Sequence, residues 1–293
     1  MRCVFLGDLH YSDYPERAHA EARDRLFAEW FRQIGELNAD FAFAVGDTTN
    51  QGSMSEMQGL QAIADASSLP LVRITGNHDC YNLPKSELAP FFLGDCESHS
   101  DEHLYAYFDV GSTRFVLTDT SRDRDDENYG GFVAREQLQW LSETLADFEQ
   151  QKRLHHAIVM GHHPLHDTTR RSTGLMLQIA NSPEVETSLA SLQQKNGLYF
   201  CGHNHNHSIH TRNNWHHVQT ANPLDCRSFR LVTLTNTSAT VETIDFNLSD
   251  PELASDFETV RHNIPAGFTP QKFEDSYGDE SDRFCTIHYA TKR

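Results

Sequence analysis

The sequence predicts an α/β fold built on two sheets, and three observations predict it. Apolar, β-prone runs alternate with helical patterns, each such run ends in a glycine-containing polar turn, and two hairpin patterns interrupt the alternation. Strands alternating with helices imply right-handed βαβ units and a largely parallel sheet. Hairpins pair antiparallel, so they call for a second sheet packed against the first.

The elements follow in order. "CVFLGD" from Cys3, "FAFAVGD" from Phe41, "LVRITGNHD" from Leu71, "HHAIVMGHH" from His155 and "LYFCGHNH" from Leu198 read as buried strands that end at a rim. The opening "MRCVFLGDLH" has an apolar run too short for a signal peptide and lacks a cleavage site, so it reads as the first strand. Helical patterns cover residues 17–37, 55–66, 135–151 and 184–194. "LYAYFDVG" and "TRFVLTDT", joined at Gly111-Ser112, form one predicted hairpin, and "RLVTLTN" with "SATVETIDF" forms the other. The expected main domain is 1–249. Residues 250–293 are polar, with "FCTIHYA" the one strand-like piece, and are expected to be a C-terminal extension serving as tail, flap or interaction arm.

Composition narrows the class. Of 293 residues, 38% are hydrophobic and 23% charged, which suits a soluble globular chain rather than a disordered one. No apolar run approaches the roughly 18 residues of a membrane span. The balance of 24 basic against 42 acidic residues gives −18, which repels polyanions, so neither a long nucleic acid nor an anionic membrane is an expected partner. A small anionic substrate then needs local positive charge, as metal ions supply. The six cysteines form no CxxC pair and read as buried thiols in a reducing, cytoplasmic setting.

The polar residues that directly follow the strand-like runs carry the chemistry. They are Asp8 and His10; Asp47 and Asn50; Asn77, His78 and Asp79; His162 and His163; and His203, His205 and His207. Ligands of open α/β sheets bind outside the carboxyl ends of the strands, so every run delivers candidates to one rim. Carboxylates, an amide and imidazoles without thiolates make a nitrogen/oxygen site, suited to Mn, Fe or Zn rather than to a structural zinc cage. Asp-x-His and His-x-His place alternate side chains together if the backbone is still extended there. Asp47, from another strand, can reach two ions, and two cations about 3.5–4 Å apart can clamp both oxygens of a phosphoryl displacement. Singly, each residue is an ordinary cap or turn residue. The weight lies in five such sites in one chain order.

The blocks "GDLH", "GDTTN", "GNHD", "GHH" and "GHNH", spanning Gly7 to His205, resemble those of the calcineurin-like metallophosphoesterases. The resemblance implies a four-layer α/β/β/α sandwich with two metal ions at the C-terminal rim. It implies that Asp8, His10 and His205 hold the first ion, that Asn77, His162 and His203 hold the second, and that Asp47 bridges. His78 is then the group beside the leaving oxygen and Asp79 orients it, while Asn50 and His163 are the candidates for phosphate contact. His207 and His210 are expected to be strand or rim residues. Tyr11 and Asp13 are weighed as pocket residues against loop residues in water, and Asp119 as support for the rim against a turn cap.

The expected activity is hydrolysis of a small phosphodiester by attack of a metal-bridging hydroxide, with His78 protonating the departing oxygen. Within the family the pattern most resembles the class III cyclic-nucleotide phosphodiesterase branch, although "GHHPLHD" lacks a second proline that often follows there. Three other readings stand beside it. A phosphomonoesterase or protein phosphatase would use the same ions. A repair-type nuclease would need a basic groove, which −18 opposes. A non-catalytic scaffold would typically have lost ligands that are all present here.

Overall fold

A computed structural model describes residues 1–67, 69–100 and 102–289. The end of the C-terminal segment, including Ala290 of the last strand-like run, lies outside the described residues.

The strands are β1 (Arg2–Leu6), β2 (Phe41–Ala44), β3 (Leu71–Arg73), β4 (Ala106–Val110), β5 (Thr113–Leu117) and β6 (His156–Met160), followed by β7 (Gly197–Cys201), β8 (Ser208–Arg212), β9 (Trp215–Gln219), β10 (Ser228–Leu234), β11 (Ser238–Asp245) and β12 (Phe284–His288). They form two six-stranded sheets, ordered β12-β11-β10-β1-β2-β3 and β4-β5-β6-β7-β9-β8. Both are mixed. In the first, β1, β2 and β3 run parallel while β10, β11 and β12 pair antiparallel. In the second, β5, β6, β7 and β9 run parallel between the antiparallel edges β4 and β8.

The period-2 pattern of each strand explains the layering. In β1, Cys3 and Phe5 enter the core between the sheets, while Val4 and Leu6 face the helices outside. β7 does the same on the other sheet: Leu198 and Phe200 point inward, Tyr199 and Cys201 outward. Phe5 and Phe200 stack across the inter-sheet core with ring centroids 3.8 Å apart, joining the strands that carry the first and last motifs. Outside the first sheet pack helices Arg17–Gly35 and Met54–Asp65, and outside the second Arg135–Gln150 and Ser182–Leu189. The four layers are therefore helix, sheet, sheet, helix.

The helix that starts at Met54 begins where its chemistry dictates, since Ser53 and Glu56 form a reciprocal capping box. The helix predicted over 184–194 instead spans Ser182–Leu189, and the hairpin β8–β9 was not anticipated within the histidine-rich stretch. Helix Pro251–His262 was also not anticipated. Asp250 caps it by accepting from the Glu252 and Leu253 amides, and Pro251 occupies its first turn. Phe257 and Val260 of that helix join the outer core against helix Arg17–Gly35, and β12 adds an edge strand to the first sheet. Among the described residues, no helix is long and apolar enough to cross a membrane. All six cysteines are free.

Candidate active site

Loops after β1, β2, β3, β6 and β7 converge at one rim, laced by His10 N donating to Asp47 O (2.9 Å) and Tyr11 N to Thr48 O (3.0 Å). Two half-clusters result. In one, His10 Nε2 lies 3.1 Å from His205 Nε2, and His205 Nε2 lies 3.6 Å from Asp8 Oδ1. In the other, Asn77 Oδ1 lies 3.1 Å from His162 Nε2 and 3.0 Å from His203 Nδ1. Asp47 stands between them, its Oδ2 3.9 Å from His10 Nε2 and 3.2 Å from His162 Nε2.

The backbone reaches this arrangement differently from the extended geometry expected of Asp-x-His and His-x-His. Asp8, His10, Asp47, His203 and His205 all have φ between 37° and 69°. Left-handed backbone costs a non-glycine residue of order 1–3 kcal/mol, so these strand ends are strained where the chemistry gathers. Glycines permit the close approach: a Cβ on Gly76 would lie 2.1 Å from Asp47 N and Oδ1, and one on Gly202 2.4 Å from Asp8 Oδ2.

In three of the four candidate-ligand imidazoles the inner nitrogen is aimed by a bond from the outer one. His162 Nδ1 donates to Val45 O (2.9 Å), His203 Nε2 to Met176 O (2.8 Å) and His205 Nδ1 to Asp225 Oδ2 (3.0 Å). A donated outer N–H leaves the inner nitrogen a lone pair, the form in which imidazole binds metal. Burial together with neighbouring imidazoles holds His10 well below its ordinary range and His203 at about 3, keeping both neutral. Burial pushes the Asp8 carboxyl up to about 6. His162 goes the other way, to about 9, because Asp47 and Asp8 outweigh its burial.

The residues fit a pair of cations. Asp8 Oδ2 is a buried polar atom with no hydrogen-bond partner, and an unpaired buried carboxylate oxygen is costly unless a cation meets it. The ligand atoms of Asp8, His10 and His205 lie within 4.8 Å of one another, as do those of Asp8, Asp47 and His162. The donor set is nitrogen and oxygen throughout.

Other candidate residues fall differently. His78 offers a ring nitrogen within 4.8 Å of ligand atoms of His10 and Asp47, and its Nδ1 donates to Asn50 O at 2.7 Å. Asp79 does not orient it. The Asp79 carboxylate instead accepts from the Thr48, Thr49 and Gly76 amides and both threonine hydroxyls, tying the second and third loops together. His163 is buried with both nitrogens in use, Nδ1 accepting from Thr120 Oγ1 (2.8 Å) and Nε2 donating to Tyr129 O (2.9 Å), so its ring has no free nitrogen for a phosphate. Asn50 is fully buried, and its Nδ2 donates to Ala266 O (3.2 Å). Tyr11 and Asp13 face away, the phenol bonding Asp24 and the carboxylate bonding Ser53 and Ser55. His207 is buried, bonded to the Ala221 amide and the Ser228 hydroxyl, and His210 is exposed on β8. Asp119 accepts from Thr75 Oγ1 (3.1 Å) and Lys85 Nζ (2.6 Å), bracing the strand end that leads to Asn77.

Three contributors escaped the sequence reading. Asp225 holds His205, Tyr81 OH accepts from Asn77 Nδ2 (2.6 Å), and Phe268 lies over His10 with ring centroids 4.1 Å apart. None stands directly after a strand-like run bearing a motif, the one signal used to find the others.

Fold and rim together define a four-layer α/β/β/α scaffold with clustered groups that could hold metal ions. The chain belongs to the Calcineurin-like phosphoesterase family, which it matches over residues 1–207. It is 33% identical over 110 residues to the serine/threonine-protein phosphatase CPPED1 of Rattus norvegicus, a match covering 38% of this chain and 33% of that protein. The Homo sapiens protein of the same name is 34% identical over 98 residues, covering 33% of this chain and 29% of the relative. The match thus spans about a third of these relatives' length. A dimetal phosphatase from Danio rerio shares the fold with a TM-score of 0.70 at 17% identity, covering 84% of this chain and 97% of that one. A purple acid phosphatase from yellow lupin (Lupinus luteus) seeds gives 0.56 at 15% identity, covering 84% and 51%.

Proposed function

We propose that the chain is a dinuclear-metal phosphoesterase that hydrolyses small phosphoesters, diesters in preference to monoesters. The convergence of seven candidate ligands into two half-clusters around Asp47 carries the reading. Asp8, His10 and His205 would hold one ion and Asn77, His162 and His203 the other, with Asp47 between. Bound there, two cations would neutralise phosphoryl oxygens and lower the pKa of water enough to supply a nucleophile near neutral pH.

The chain's own groups do the rest. His78 Nδ1 donates to Asn50 O, so Nε2 is the nitrogen left for the substrate, and in the imidazolium form it would give its proton to the departing oxygen and leave neutral imidazole. Asn77 is aimed by Tyr81, and the Asp47 carboxylate is fixed by the His78 amide donating to its Oδ1 at 2.8 Å. A diester monoanion needs less neutralisation than a monoester dianion, and the net charge of −18 supports the diester preference. The monoester reading is kept because the relatives are named as protein phosphatases.

The test compares kcat/KM for bis-p-nitrophenyl phosphate and p-nitrophenyl phosphate in protein reconstituted with Mn, Fe or Zn. The diester should be favoured, with activity abolished by chelation and restored by metal. A monoester preference would install the second reading, and activity indifferent to thorough chelation would end both.

A further inference from the structure

The chain between helix Pro251–His262 and Gln271 crosses the rim as a strap, and it covers one half-cluster only. Phe268 packs its ring on His10 (4.1 Å) and on His205 (5.0 Å), two of the three groups of the first half-cluster. The strap is seated at both ends. Arg261 Nε donates to Leu224 O (3.0 Å) and Arg261 Nη2 to Gln271 O (2.5 Å), while the Gln271 amide donates to Asp225 Oδ1 (2.7 Å). In the middle, Ala266 O accepts from the side chains of Asn50 and Gln51. Gly267 passes so close that a Cβ there would lie 2.4 Å from Asn50 Oδ1. His203, in the other half-cluster, keeps partial exposure, and its neighbour Tyr129 is exposed.

We infer that Phe268 is a specificity-determining wall that closes the first-ion side of the site and admits ester substituents only from the side of His203 and Tyr129. This rests on the proposed phosphoesterase reading and deepens it. The substrates selected are low-molecular-weight phosphoesters, because a phosphorylated side chain within a polypeptide brings flanking backbone on both sides of the phosphate, and the strap occupies one of those sides. Apolar contact carries the selection. An aromatic ring packed on two imidazoles presents no donor or acceptor of its own, so it rejects by volume rather than by charge.

Two readouts test it. Phe268→Ala should raise the ratio of kcat/KM for a phosphoserine decapeptide to that for p-nitrophenyl phosphate at least tenfold, with Phe268→Leu intermediate. An unchanged ratio in both variants would overturn the wall. Independently of turnover, diethyl pyrocarbonate should modify His10 and His205 of metal-free protein several-fold faster in Phe268→Ala than in the parent, read by peptide mass spectrometry. Equal modification rates would show that the ring does not cover them. If the parent hydrolyses no phosphoester, the function proposal fails, while the modification rates still decide the cover. Should Phe268→Ala not fold, Phe268→Leu carries both measurements.

Discussion

His205 and Asp225 are joined Nδ1 to Oδ2 at 3.0 Å, in a pair nearly closed to solvent, and the other oxygen of the same carboxylate receives the amide of Gln271 at 2.7 Å. One side chain therefore both aims a candidate ligand and anchors the strap above it. Carboxylates behind metal-binding imidazoles fix the tautomer and raise ligand basicity, and their loss typically costs about 10–100-fold in metal affinity. Asp225→Asn should weaken binding of one ion by that amount and leave the other little changed, as resolved by competitive titration with a chromophoric chelator. Two equally weakened sites, or none, would contradict the assignment.

Gly76 sits against the Asp47 backbone and carboxylate with no room for a methyl group. Gly76→Ala must shift that loop, and overpacking of this kind costs about 1–3 kcal/mol. The expected result is a lowered Tm together with lost metal stoichiometry. An unperturbed metal content would mean that Asp47 does not depend on this close approach.

Lys85 Nζ and Asp119 Oδ2 form a buried ion pair, 2.6 Å apart, that includes none of the candidate ligands. Burial alone would raise the Asp119 carboxyl, but Lys85 and His103 outweigh it and hold it well below the usual carboxylate range, while Asp119 in turn raises Lys85 despite its burial. Removing one partner strands a buried charge, so Lys85→Met should cost about 3–5 kcal/mol in urea unfolding at pH 7. The pH dependence has a definite sign. Because the folded state binds this proton more weakly than the unfolded state, the carboxylate's contribution is complete above the unfolded value of about 3.9 and is lost as pH falls through the depressed folded value. Asp119→Asn should therefore flatten the acid limb of the stability curve between about pH 4 and 2, and an unaltered limb would refute it.

His78 is the candidate proton carrier, held through Asn50 O rather than through Asp79. His78→Asn should lower kcat about 10²–10⁴-fold while leaving metal content intact, and the loss should be largest for esters with poor leaving groups. Parent-like turnover on such esters would remove His78 from the chemistry.

The parts of this site legible in the sequence share one property: they directly follow a buried strand. Asp8, Asp47, Asn77, His162 and His203 could be aligned because apolar runs end at a common rim in an open α/β sheet. His10 and His205 meet through left-handed backbone at Asp8, His10, His203 and His205, not through the extended alternation expected. Residue type also misled where the deciding fact was what else a side chain touches. By residue type His163 suits a phosphate contact, yet both of its nitrogens are bonded, and Asp79 suits the orienting of His78, yet its oxygens are held by three backbone amides. Asp225 and Phe268 lie far along the chain in segments without periodicity or motif, so only the tertiary fold brings them to His205. Helix Pro251–His262 did carry a signal, Asp250-Pro251, but its apolar stripe is thin and the polar composition masked it.

One carboxylate, Asp47, is proposed to stand between two cation sites, and metal content reads that placement most directly. Elemental analysis of the purified protein after equilibration with Mn, Fe or Zn should give two ions per chain, and Asp47→Ala should lose both together. A variant that keeps one ion at full occupancy, or a parent chain that binds a single ion, would contradict the account.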